Sequence, residues 1–117
     1  VATSTRRPLA LRKLEAAGLL SRFDAVCTSS DVEHPKPAPD VYLLAARSLG
    51  VDPARCLVLE DSPTGVRAAL AAGMYPIQSP DLLEPDDSVR ALGHMILPSL
   101  DDARGLLERR LDARPST

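Results

Sequence analysis

Three short clusters carry side chains that can handle a phosphoryl group. Thr3-Ser4-Thr5 places hydroxyls just ahead of a helix signal at Pro8, and hydroxyls together with the free N–H groups of a helix start bind phosphate oxygens. Lys36 stands among Pro35, Pro37 and Pro39; its ammonium is a compact charge that can hold a phosphoryl group and offset charge developing on it. Glu60-Asp61 are adjacent carboxylates, hard oxygen ligands suited to Mg²⁺, which is usually held by one or two carboxylates plus water and phosphate. Singly, each cluster has a plain structural reading: a helix N-cap, a solvated loop lysine, and acids complementing the start of a helix dipole. Their chemistry becomes complementary only if the chain brings them together.

The elements predicted around them do so. Ala10, Leu14 and Ala17 share one face of a helix over residues 8–17, with Gly18 as its stop, and residues 23–28 form a short apolar strand. Residues 29–39, with three prolines, form a loop, and Pro39 opens a second helix along Val41, Leu44, Ala45 and Leu49 that Gly50 ends. Cys56 to Glu60 is a continuous apolar run ending in acids, as expected of a strand buried in a parallel sheet with its carboxyl end at the surface. A third helix begins at Pro63, with Val66, Ala69 and Leu70 inward and Gly73 closing it. Residues 75–78 form a strand, 80–87 an acidic loop and 95–97 a last strand. Ser99 caps a final helix striped with Ala103, Leu106, Leu107 and Leu111. Strand and helix alternate with connections too long for hairpins, which predicts an α/β, doubly wound parallel sheet with helices on both faces. The three clusters fall at the ends of predicted strands, and in a parallel sheet those ends converge on one side.

Composition narrows the class. The chain has 117 residues, enough for one compact domain, with 44% hydrophobic and 26% charged residues, near the average for globular proteins. Aromatics are 3%, so the core is built from Leu, Val and Ala, a bias shared with many bacterial proteins. A net charge of −2 with dispersed arginines gives no field to attract nucleic acid. No apolar run approaches a membrane span and no signal peptide is visible, which points to the cytoplasm. Cys27 and Cys56 read as free buried thiols. The chain starts Val1-Ala2-Thr3 without a methionine, as though cut from something longer.

The string Lys36-Pro37-Ala38-Pro39-Asp40-Val41-Tyr42 resembles the lysine motif of haloacid dehalogenase-type (HAD) phosphatases. Leu57-Val58-Leu59-Glu60-Asp61-Ser62-Pro63-Thr64-Gly65-Val66, continuing to Met74, is similar to their acidic metal-binding motif, and Val1-Ala2-Thr3-Ser4 to their hydroxyl motif. The resemblance spans residues 1 to about 80 and is nearest to the subgroup of β-phosphoglucomutase, 2-deoxyglucose-6-phosphate phosphatases and pseudouridine-5′-phosphatases. It implies a partial Rossmann-like core: residues 1–111 would be the C-terminal part of a HAD-like core domain, lacking its first strand and its cap domain, and 112–117 a frayed tail. It also implies that Thr3 hydrogen-bonds the transferring phosphoryl group with the Ser4 backbone helping, that Lys36 bridges phosphoryl and nucleophile, that Asp61 ligates Mg²⁺, and that Glu60 supports the metal directly or through water. The family's two aspartates, spaced Asp-x-Asp, occur nowhere here; Asp86-Asp87 and Asp101-Asp102 are adjacent pairs. His34-Pro35 stand before Lys36 where relatives often carry Gly.

The resemblance therefore implies a Mg²⁺-dependent phosphohydrolase acting on a small phosphorylated metabolite, with the missing N-terminal part of the same protein as its partner and these residues inactive alone. A phosphoglucomutase-type phosphotransferase and a non-catalytic phosphate- or partner-binding module are the alternatives. A response-regulator receiver places its acids before its hydroxyl and lysine, the reverse of the order here. His34 and His94 read as solvated loop and turn residues, and Arg6 and Arg7 as a solvent-facing helical turn next to the hydroxyls.

Overall fold

A computed structural model describes residues 1–80 and 84–112. The middle of the expected acidic loop and most of the expected frayed tail lie outside the described residues. Helices and strands alternate: α1 Arg7–Ala16, α2 Asp40–Leu49, β1 Leu57–Glu60, α3 Pro63–Ala71, β2 Tyr75–Gln78, α4 Asp87–Arg90, β3 Met95–Ile96 and α5 Leu100–Asp112. The strands form a parallel sheet in the order β1-β2-β3, with Leu57 opposite Tyr75, Glu60 opposite Gln78 and Ile77 opposite Met95.

Local chemistry accounts for the element ends. Ser62 caps α3 by accepting the Gly65 N–H at 3.1 Å, with Pro63 opening the first turn. Ser99 accepts the Asp102 N–H at 3.2 Å ahead of α5. Gly50 closes α2 at φ +67°, in the left-handed region that favours glycine.

The sheet is covered on both faces. Val58 belongs to a core with Val41, Tyr42 and Ala46 from α2 and Ala68, Ala69 and Ala72 from α3. On the other face Leu57, Tyr75, Ile77 and Met95 line an apolar cleft that Leu106 and Leu107 of α5 close from above. That side is thinly covered: Leu57, Leu59 and Tyr75 are 45%, 48% and 64% exposed. No helix among the described residues is long and apolar enough to cross a membrane.

Several expectations need correction. The strand expected over 23–28 contracts to one parallel bridge, Ala2 with Cys27, held by Cys27 N–H to Val1 O at 2.8 Å and Thr3 N–H to Cys27 O at 3.0 Å. Leu20–Arg22 turns as a 3₁₀ helix just ahead of it and Phe23 is exposed, so the apolar run does not extend as a strand. The loop over 29–39 begins with another 3₁₀ turn, Ser29–Asp31, fixed by a capping box between Thr28 and Asp31. In α2, Val41 is buried and Leu44 and Ala45 pack against the core as expected, but Tyr42 and Ala46 are buried as well and Leu49 is exposed. In α3, Val66 and Ala69 are fully buried as expected and Ala68 joins them, whereas Leu70 is exposed. Leu111 likewise lies outside the α5 stripe. Cys27 is a buried free thiol as expected, whereas Cys56 is half-buried ahead of β1.

Candidate active site

β1 ends in Glu60, and its carboxylate is the hub of the site. Oε2 accepts from Lys36 Nζ at 2.9 Å and from the Tyr42 hydroxyl at 2.5 Å. Oε1 accepts from the Asp61 N–H at 3.2 Å and the Ser62 hydroxyl at 3.4 Å. The Lys36 and Glu60 side chains are 8% and 10% exposed. Burial alone would raise the Glu60 carboxyl, but the hydrogen bonds from Tyr42 and Lys36 and the lysine's charge outweigh it and hold Glu60 below its ordinary value. The Tyr42 phenol is pushed far up, first by burial and then by its bond to Glu60, so it remains a donor.

Lys36 reaches the hub from the proline loop, with Nζ 4.9 Å from the centre of the Tyr42 ring. The same Nζ donates to the Ala2 carbonyl at 3.1 Å. The lysine thus joins the Val1–Thr3 segment to the end of β1, and the position beside Thr3 is brought to Glu60. Thr3 Oγ1 itself accepts the Thr5 N–H at 3.1 Å, folding the hydroxyl run into a tight turn ahead of α1.

Ser4 and Asp61 open onto separate clefts. Ser4 lines one of about 820 Å³ with Thr5, Arg6, Arg12 and Ser30. Asp61 is exposed at the carboxyl end of the sheet and lines one of about 510 Å³ with Glu60, Ser79 and Ser99. Among the described residues no three His, Cys, Asp or Glu side chains gather as a metal cluster. The oxygen donors fit a hard divalent ion that takes one or two carboxylates and completes its shell with water and phosphate. Asp61, exposed at the carboxyl end of the sheet, could offer such an ion one carboxylate.

The sequence reading of Arg6 and Arg7 as a shared solvent-facing turn applies to Arg6, which is exposed. Arg7 folds back instead, pairing with Asp31 through two bonds of 3.1 and 2.7 Å and donating to the Val26 carbonyl at 2.7 Å. It anchors α1 to the segment that pairs with Ala2. His34 is the solvated loop residue expected, its ring bonded to Asp40 at 3.1 Å with 65% of the side chain exposed. His94 is more than a turn residue: Nε2 meets buried Gln78 Oε1 at 2.7 Å, and Nδ1 is buried without a partner among the described residues.

Two contributors escaped the sequence reading. Tyr42 lies within the lysine string but was given no role, and its rarity in a chain with 2 Tyr and 1 Phe was the available signal. Gly65 packs directly under Glu60: a methyl group there would land on the glutamate's carboxyl carbon and Oε2.

The profile of the haloacid dehalogenase-like hydrolase family matches residues 1–73. Fructose-1-phosphate phosphatase YqaB of Escherichia coli is 46% identical over 74 residues, covering 63% of this chain and 39% of that protein. A phosphorylated carbohydrates phosphatase of Thermotoga maritima is 34% identical over 108 residues, covering 92% of this chain and 43% of its own length. Among solved structures, CbbY from Rhodobacter sphaeroides in complex with xylulose-(1,5)bisphosphate superposes with a TM-score of 0.70 at 36% identity, over 85% of this chain and 45% of that one. The chain thus spans less than half the length of these relatives.

Proposed function

Since this chain belongs to the haloacid dehalogenase-like hydrolase family, we propose that it is the phosphate- and metal-holding part of a Mg²⁺-dependent phosphohydrolase. Its substrate would be a small phosphorylated metabolite, a sugar phosphate or a nucleotide, in line with the sugar phosphates named for its relatives. The observation that carries the reading is the Lys36 ammonium, buried, fixed by Glu60 and held beside Thr3 through the Ala2 carbonyl.

In this reading Lys36 holds an oxygen of the transferring phosphoryl group and offsets its growing charge. Thr3 offers its hydroxyl to another, and the turn through Thr5 fixes its direction. Asp61 would hold Mg²⁺, which when bound would polarise the phosphoryl group. The attacking carboxylate, forming an aspartyl-phosphate that water then hydrolyses, would be supplied by the N-terminal part of the same protein, the partner this site needs.

The test is turnover of a panel of sugar phosphates and nucleotides by the full-length protein with and without Mg²⁺. The expected result is Mg²⁺-dependent phosphate release, lost by a factor on the order of 10² or more in Lys36→Ala. Residues 1–117 alone should release none. Turnover by them, or unchanged activity in Lys36→Ala, would overturn the proposal.

A further inference from the structure

We infer that Tyr42 and Gly65 are positioning residues that reserve the Glu60 carboxylate for Lys36, acting on the lysine through the glutamate without touching the phosphoryl group. The lysine's task rests on the phosphatase reading above; the clamp itself stands on geometry.

An ionised carboxylate offers about four lone-pair sites, and protein donors occupy Glu60 on both oxygens: Lys36 and Tyr42 on Oε2, the Asp61 N–H and the Ser62 hydroxyl on Oε1. Two of these donors lie one and two residues on from Glu60 and come with the turn into α3. Tyr42 comes from a different element, the first turn of α2, and is 5% exposed within the core of Val41 and Ala46. A buried phenol needs a partner, since leaving it unpaired is costly. It therefore holds Oε2 from α2, an element other than the strand that carries Glu60.

Gly65 confines the carboxylate from α3. It sits in α3, where no backbone strain calls for glycine, yet any larger residue would overlap the Glu60 carboxyl. The first turn of α3 can lie against Glu60 only because that position has no side chain. Bonded by the Tyr42 hydroxyl and backed by the bare turn of α3, the carboxylate presents Oε2 to the ammonium.

Two variants of the full-length protein test this. Tyr42→Phe keeps the ring and its contact with the lysine but removes the hydroxyl. Gly65→Ala touches neither Lys36 nor Tyr42 and displaces Glu60. The first readout needs no turnover: acylation by an amine-reactive acetyl ester, followed by peptide mass spectrometry, compares Lys36 with exposed Lys13 as an internal reference. The Lys36-to-Lys13 rate ratio should rise roughly fivefold or more in both variants, as expected for loss of one restraining hydrogen bond. The second readout is kinetic, with kcat falling about tenfold and KM nearly unchanged. A merely structural role would lower the melting temperature and leave the labelling ratio alone. An unchanged ratio in folded Tyr42→Phe overturns the clamp, whatever becomes of Gly65→Ala. A wild-type protein with no turnover would sink the phosphatase reading, while the labelling ratio would still decide this one.

Discussion

Helix propensity and site geometry pull in opposite directions at Gly65. Exchanging a helical glycine for alanine ordinarily stabilises by about 0.5–1 kcal/mol, but here the new methyl must displace a glutamate whose oxygens accept four hydrogen bonds. The melting temperature of Gly65→Ala should therefore fall, and a rise in thermal denaturation would show that Glu60 moves aside at no cost. Asp31 allows a test of sign. Its bonds from Arg7, followed by those from Thr28, outweigh burial and hold its carboxyl well below the ordinary value of 3.8. A depressed carboxylate stabilises fully above that ordinary value, and the contribution is lost as pH falls below it. Urea midpoints taken between about pH 6 and pH 2 should decline less steeply in Asp31→Asn than in the wild type. At this scale the sequence singled out Lys36 and Glu60, and the structure pairs the two at 2.9 Å. The sequence concealed Arg7, because nothing in the order of residues reveals that a helix-start arginine folds back onto Asp31.

Among the elements, α3 shows how tightly packing selects side chains. Ala68 and Ala69 are fully buried where the helix approaches the sheet, so Ala69→Leu should cost about 1–3 kcal/mol through overpacking, read as a lower denaturant midpoint. At the start of β3, His94 is a quieter sensor. Burial lowers its pKa from the ordinary 6.5, which favours the neutral ring that bonds Gln78. Protonation therefore favours the unfolded chain, so stability is complete above 6.5 and erodes as pH falls below it. His94→Gln should flatten the melting temperature across that range. The alternation of elements was legible because Gly, Pro and Ser mark their ends clearly: Ser62 with Pro63 at one helix, Gly50 at another. Helix faces were less so. Val41 is buried and Leu44 and Ala45 pack against the core as their spacing implied, yet the core also takes Tyr42, whose hydroxyl bonds Glu60, and leaves Leu49 exposed.

For the molecule as a whole, the sheet has a weak side. Leu57 and Leu59 on β1, an outer strand of the sheet β1-β2-β3, expose apolar surface together with Tyr75 of β2. Such an edge invites pairing with other chains. Residues 1–117 on their own should associate at high concentration, and Leu59→Lys should shift sedimentation toward the monomer; identical sedimentation of the two would place the contact elsewhere. The strand expected over 23–28 contracts to one bridge, because strand pairing is decided by the neighbouring segment and not by the apolar run itself.

Lys36 gives this seam a further property. An ammonium carries three N–H donors, and two of them already reach Ala2 and Glu60. A phosphoryl oxygen can take up the third while both existing bonds persist, so the ligand adds a rivet to the joint and removes none. Inorganic phosphate should then slow amide hydrogen exchange at Thr3 and along Leu57–Glu60 together, and the two sides of the seam would report occupancy as one.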